Sequence, residues 1–211
     1  KIYLFDKDSS TPLWSYTADN SVFTISISAD GEYIVSGHGG YLRINQKDDS
    51  NPLWVYEGSG GQSSFIEISS DGSFFATLYQ QNQDQDKNIK LQFHSRENST
   101  PLWIYEMDNT DEDYSASFLS MSQDGNYVLI GLVPQSNTDN SKLILFSKRN
   151  STPLWTYEFI SGENHVIRDL DMSADGQEVV VLTDSDEGTL VSLTFEVSLS
   201  LPTFFLLTSS L

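Results

Sequence analysis

Apolar and polar residues alternate along this chain in short runs, and the runs come in sets of four. Phe23-Thr-Ile-Ser-Ile27 is apolar at every second position. That period puts the apolar side chains on one face of a β-strand and the polar ones on the other. Asp30-Gly31 follows as a turn signal, because glycine accepts the positive φ that a tight hairpin needs. Tyr33-Ile-Val-Ser36 is the next extended run, Gly37-His-Gly-Gly40 a second turn, and Tyr41-Leu-Arg-Ile44 a third strand. The polar loop Gln46-Lys-Asp-Asp-Ser-Asn51 then leads through Pro52 into a fourth strand, Leu53-Trp-Val-Tyr56. Proline is harmless there, since the first residue of a strand can lack an N–H. Helical spacing is found nowhere.

The set recurs. Pro-Leu-Trp occurs four times, at Trp14, Trp54, Trp103 and Trp155, and each tryptophan is followed two residues on by Tyr16, Tyr56, Tyr105 or Tyr157. Ser-x-Asp-Gly also occurs four times, ending in Gly31, Gly72, Gly125 and Gly176. Tryptophan spacings are 40, 49 and 52 residues, and Asp-Gly spacings 41, 53 and 51. Two independent motifs in one order at one spacing define an internal repeat. First strands are predicted near 64–69, 116–122 and 167–173, and second strands near 73–79, 126–132 and 177–183. Third strands fall near 88–94, 142–147 and 189–195, and fourth strands near 102–106 and 154–158. The chain opens on a third strand, Ile2-Tyr-Leu-Phe5, and a fourth, Leu13-Trp-Ser-Tyr16.

The faces of these strands predict how the units pack. Ile27, Ile68, Met121 and Met172 stand three residues before each Asp, and Ile25, Ile66, Leu119 and Leu170 five before it. That face is expected to pack on a neighbouring unit in every repeat. The position between holds Ser26, Glu67, Ser120 or Asp171, polar each time. On the fourth strand the Trp-x-Tyr face is opposed by Leu13, Leu53, Leu102 and Leu154, so both faces are apolar, as in a sheet held between two others. Short four-stranded antiparallel units buried on both faces describe blades, and the expected fold is an all-β propeller. A β-sandwich is the alternative, though it would not need one motif at one point four times.

The units are a half blade at 1–17, full blades at 22–57, 64–106 and 116–158, and a partial blade at 166–196. Residues 201–211 form a tail that is either a closing strand or the start of a further segment. An incomplete ring is expected, an arc with exposed blade faces able to associate. In the alternative, a closed four-blade ring, residues 1–5 would pair with 177–183.

The stretch Leu4-Phe-Asp-Lys-Asp-Ser-Ser-Thr-Pro-Leu-Trp-Ser-Tyr16 resembles the tryptophan-docking repeat of pyrroloquinoline-quinone-type propellers. The resemblance implies that Trp14, Trp54, Trp103 and Trp155 dock on the adjacent blade. Pro12 departs from it, standing where that family has a Gly-Lys pair. The Ser-x-Asp-Gly turns resemble those of WD-repeat propellers, without the Trp-Asp dipeptide. Together they are most similar to archaeal and bacterial WD-like, quinoprotein-like repeat proteins, a likeness specific for fold and weak for activity.

Composition narrows the function. Apolar residues make up 38% of the chain and aromatics 12%, enough for a core. Thirty acidic residues against 11 basic ones give a net charge of -19, which repels phosphate backbones and anionic lipid and suits a salty or extracellular setting. Nucleic acid is therefore not an expected partner. With no cysteine, disulfides, thiolate zinc sites and cysteine nucleophiles are excluded. The chain opens on Lys1 with no charged-then-apolar leader, and no run of 18 apolar residues occurs, so neither a signal peptide nor a membrane span is expected within it. An extracellular or cell-surface location is expected, with the cytoplasm as the alternative.

Candidate chemistry is sparse. His38, His94 and His165 are not at metal-ligand spacing and are expected on the surface or in loops. There is no nucleophile elbow, phosphate loop or metalloprotease motif, and no cofactor is expected. Asn82, Asp84 and Asp86 alternate oxygen ligands as a calcium loop does, but Lys87 replaces the glycine such a loop needs. Glu67, Asp169 and Asp171, polar on the inner strand, are expected to face the central channel, where propellers bind a protein or a small ligand. Lys7, Lys47, Arg96 and Lys148 recur seven residues before each tryptophan. They are either a cationic ring for a ligand or alkyl stems lying over aromatic faces beside local carboxylates. Asn98-Ser-Thr100 and Asn150-Ser-Thr152 are glycosylation sequons placed on the repeated turn. The expected function is a non-catalytic scaffold or recognition module; the alternative is a propeller-fold enzyme, a hydrolase or quinoprotein-like oxidoreductase.

Overall fold

The computed structural model describes residues 1–58, 62–83, 86–108, 114–135, 140–159, 166–184, 191–196 and 204–208. Side chains are described for these except at 62–64, 81–83, 86–87, 108, 184, 191–196 and 204–208. A two-stranded half blade, β1 (Ile2–Phe5) and β2 (Pro12–Tyr16), opens the chain. Blade I holds β3 (Val22–Ile27), β4 (Tyr33–His38), β5 (Tyr41–Gln46) and β6 (Pro52–Glu57). Blade II holds β7 (Gln62–Ile68), β8 (Phe74–Gln83), β9 (Asp86–Ser95) and β10 (Trp103–Asp108). Blade III holds β11 (Tyr114–Met121), β12 (Tyr127–Pro134), β13 (Lys142–Ser147) and β14 (Pro153–Glu158). Blade IV holds β15 (Val166–Met172), β16 (Glu178–Asp184), β17 (Val191–Glu196) and β18 (Phe204–Thr208). Each blade is an antiparallel meander in chain order. The segment expected as a tail thus supplies a fourth strand: β18 pairs with β17, Phe205 opposite Thr194. Residues 1–5 do not pair with 177–183; β1 pairs with β2, and β16 with β15 and β17. Among the described residues the blades therefore follow one another in chain order as an arc, without the strand pairing that would close a four-blade ring.

The Ser-x-Asp-Gly motif is a folding unit whose every residue has a task. At Ser122 the hydroxyl donates to Asp124 Oδ1 at 2.7 Å and accepts the Tyr127 N–H at 3.0 Å. The Asp124 carboxylate accepts the Asn126 N–H at 2.9 Å, and Gly125 takes φ +68°, where a side chain would be strained. Ser28, Ser69 and Ser173 repeat the same bonds. The residue x is variable because only its backbone is used. Ser70 N–H donates to Gln123 O and Gln123 N–H to Ala174 O, both at 2.8 Å, while Asp30 N–H reaches Ser70 O at 3.3 Å. These bonds link turn to turn along the arc.

Blades meet through their inner strands. β7 packs on β3 and β4, β11 on β7 and β8, and β15 on β11 and β12. Gly131 leaves room for blade IV, since a Cβ there would stand 2.7 Å from Leu170 Cδ2. Each first strand also carries a bulge not foreseen from the alternation, between Val22 and Thr24, Ser63 and Phe65, Ala116 and Phe118, and Ile167 and Asp169.

The outer strands behave differently. Trp14 Nε1 donates to Lys47 O at 2.7 Å, Trp54 Nε1 to Arg96 O at 2.7 Å, and Trp103 Nε1 to Lys148 O at 3.0 Å. Each indole therefore reaches the next unit's loop between third and fourth strands. Only Trp103 is fully buried, at 8% exposure; Trp14, Trp54 and Trp155 are half-buried. Leu13, Leu53, Leu102 and Leu154, expected between two sheets, are instead 45% to 51% exposed. Twisted sheets that touch at their inner strands diverge outward, so the back of the rim is left bare.

Two further expectations about burial are corrected. Ile66, Leu119 and Leu170 are 4%, 8% and 9% exposed, but Ile25 and Ile27 are 51% and 50% exposed. The half blade has no first and second strands to cover them. His38 and His94 are interior, not surface, residues. His94 stacks on Phe75 with centroids 4.8 Å apart and the planes 2° from parallel. His38 stacks on Tyr41 at 5.8 Å. His94 fills the slot held in blade III by Phe146, each pairing with the second-strand residue Phe75 or Val128. Aligning the two strands in sequence would have placed it.

Candidate inner-strand acidic site

The first strands of successive blades pack on one another, and each carries one polar position between two apolar ones. Ser26 and Glu67 are half-buried there, Ser120 is buried, and Asp171 is exposed. Ser120 Oγ stands 3.5 Å from Asp171 Oδ1. Burial pushes the Glu67 carboxyl above its ordinary pKa, and the negative charge of Asp171 adds to the shift. A cation near Glu67 would offset both the burial and the neighbouring charge that make its ionised form costly. Asp169 is exposed on the same strand, and its Oδ1 accepts the Leu170 N–H at 2.9 Å. Asp171 Oδ1 likewise accepts the Met172 N–H at 2.8 Å. Ser120 was not foreseen as a site residue, although the polar residue at this place in every repeat was the signal for it.

The four recurring cations do not converge. Arg96 lies over the Tyr33 ring, 4.3 Å from its centroid, and Lys148 over Phe74 at 5.1 Å. Lys47 pairs with Glu32 at 3.7 Å, and Lys7 with Asp8 at 2.6 Å. Two of them thus lie over aromatic rings and two beside carboxylates, and the carbonyls at 47, 96 and 148 receive the indoles. Arg43, not singled out from the sequence, is a buried cation: its guanidinium covers the Tyr16 ring at 3.4 Å and donates to Asn45 Oδ1 and to Ser50 O.

Asn98 and Asn150 hold turns. Each Oδ1 accepts the N–H two residues on, at 3.0 Å from Thr100 and 2.9 Å from Thr152. Ser9 and Asp49 do the same in the half blade and blade I, at 3.0 and 2.8 Å. Asp84 and His165 lie outside the described residues, as do the side chains of Asn82 and Asp86. Among the described residues no three His, Cys, Asp or Glu side chains are grouped as a metal would need, and no helix is long and apolar enough to cross a membrane.

No protein-family model and no curated protein sequence matches the chain. Solved structures do. The C-terminal WD40 domain of Sif2 superposes with a TM-score of 0.66 at 14% identity, over 93% of this chain and 52% of that one. Hsv2 of Kluyveromyces lactis gives 0.60 at 16%, over 93% and 54%, and Hsv2 of Kluyveromyces marxianus 0.63 at 14%, over 94% and 54%. The fold is that of a WD40 β-propeller domain. The chain spans about half the length of the solved chains it matches.

Proposed function

We propose that this chain is a recognition or scaffold module without catalytic chemistry, and that its inner strands take a cationic ligand such as a basic protein segment. One observation carries the reading: the polar position repeats from first strand to first strand, and in its last three places it brings Glu67, Ser120 and Asp171 near one another. Asp169 extends the acidic stretch. A net charge of -19 draws cations toward the whole molecule and speeds their encounter.

The finer likeness to quinoprotein-type repeats of archaea and bacteria belongs to this reading, supported by the indole bonds from blade to blade. So does an extracellular or cell-surface setting, supported by the charge. In such a setting Asn98 and Asn150 are glycan acceptors, because both are exposed and their turn bonds engage Oδ1 and leave Nδ2 for attachment.

The test is titration calorimetry with hexalysine at low salt. E67Q/D171N should weaken binding by about tenfold, whereas D48N/D49N, which removes equal charge from an outer loop, should change it by about twofold or less. Equal losses in the two variants would reduce the site to general surface charge.

A further inference from the structure

The turn between third and fourth strands occurs in four copies, so each copy is a control for the others. Lys7-Asp-Ser-Ser-Thr11, Lys47-Asp-Asp-Ser-Asn51 and Arg96-Glu-Asn-Ser-Thr100 all open on a cation followed by an acid. Blade III departs from them: Lys148-Arg-Asn-Ser-Thr152 has a second cation, Arg149, in place of Asp8, Asp48 and Glu97. The ion pairs change with it. Lys7 stands 2.6 Å from Asp8, Lys47 3.7 Å from Glu32 and Arg96 3.8 Å from Glu97. In blade III the neutral Asn126 takes the place of Glu32, directly after the turn glycine. Among the described residues Lys148 and Arg149 form no ion pair, although the chain has 30 acidic residues to 11 basic ones.

These two cations line a pocket of about 510 Å³ together with Asn126, Tyr127, Ser147 and Asn150. Its polar groups are set to donate. Asn150 Oδ1 is taken by the Thr152 N–H, which leaves the Nδ2 group as the donor. Ser147 Oγ accepts the Arg149 N–H at 3.4 Å and keeps its own proton to give. Asp124, in the adjoining turn, is not part of the lining, and its carboxylate is engaged by the Ser122 hydroxyl and by the backbone and side chain of Asn126.

We propose that this pocket binds a single oxyanionic group, a phosphate or a sulfate. The Arg149 guanidinium offers the planar fork that matches two oxygens of such a group. Lys148 adds charge, with its ammonium placed 5.1 Å from the centroid of the Phe74 ring. The net charge of -19 limits what the group is attached to. A polyanion lays many charges along an acidic surface, whereas one group meets only the local field within a screening length of about 8 Å. The site therefore suits a free ion or one modified side chain, not a nucleic acid strand. Asn150 belongs to the pocket wall, so a glycan there and an anion in the pocket exclude each other.

The test is an NMR titration of the full, unglycosylated chain with sodium phosphate at constant ionic strength. The Arg149 Nε–H and Asn150 amide signals should shift and saturate with a Kd of about 1 mM, as a few charge-assisted bonds provide. R149D restores the acid of the other three repeats, so the fold tolerates it, and it should weaken binding by about tenfold or more. K7E makes the same change of charge on the half-blade turn and should alter binding by about twofold or less. A phosphoserine peptide run in parallel separates the sources: tighter binding than phosphate assigns a modified protein segment, and weaker binding a free ion. Three outcomes overturn the proposal. They are no saturable shift up to about 20 mM phosphate, unchanged binding in R149D, or an equal loss in K7E.

Discussion

The junction between blades II and III and the junction between the half blade and blade I use the same bond to very different effect. In both, an indole N–H reaches a carbonyl of the next unit, Trp103 to Lys148 and Trp14 to Lys47. At the first junction Trp103 lies between Phe93, 5.2 Å away, and Phe146, 5.7 Å away, within the largest cluster of buried side chains. At the second, Trp14 borders an open cleft. The third residue of each Trp-x-Tyr follows suit, for Tyr105 packs on Phe146 whereas Tyr16 lies under the charged Arg43. The outer-strand bond therefore sets where a blade docks, and the inner strands decide how much apolar surface the docking buries.

That contrast makes its largest prediction at the two tryptophans. Trp103→Ala should destabilise by about 3–5 kcal/mol, and Trp14→Ala by only about 1–2 kcal/mol, in urea denaturation. Equal losses would place the stabilisation in the indole bond and not in burial. Leu119 and Ile25 occupy one repeat position, so they isolate the inner strands. Leu119→Ala should cost about 2–4 kcal/mol and Ile25→Ala under about 1 kcal/mol. If Ile25→Ala costs as much as Leu119→Ala, the face over β3 is covered in solution.

A third prediction concerns pH. His94 lies between blades I and II against Trp54 and Tyr56, and burial holds its pKa down at about 3. A folded-state pKa below the unfolded value gives stability that is present above about 6.5 and lost as pH falls toward 3. Between pH 8 and pH 5.5 the loss should be about 1.4 kcal/mol, and His94→Phe should remove this part of the pH dependence. The same slope in His94→Phe would assign it to other groups. The smallest effect is expected at the rim, where Leu102→Gln should change stability by no more than about 0.5 kcal/mol. A loss near that of Leu119→Ala would mean that the outer leucines are covered after all.

The repeat, the strand order within each blade, the turns and the propeller class were all legible in the amino-acid sequence. These follow from local chemistry: period-two alternation, a glycine able to take positive φ, and a proline at a strand head. It also marked the line of Ser26, Glu67, Ser120 and Asp171, because polarity confined to one position between two apolar ones shows within a single strand. The remainder depends on what each strand meets in space. Leu53 and Ile66 read equally apolar, yet one lies on a diverging rim and the other under a neighbouring hairpin. Lys47, Arg96 and Lys148 read as cations, but their carbonyls receive the indoles, a backbone role that leaves no trace in side-chain type. Ile25 has the pattern of a core residue and is half-exposed, because burial belongs to whatever stands opposite, and that is set by a strand pair elsewhere in space.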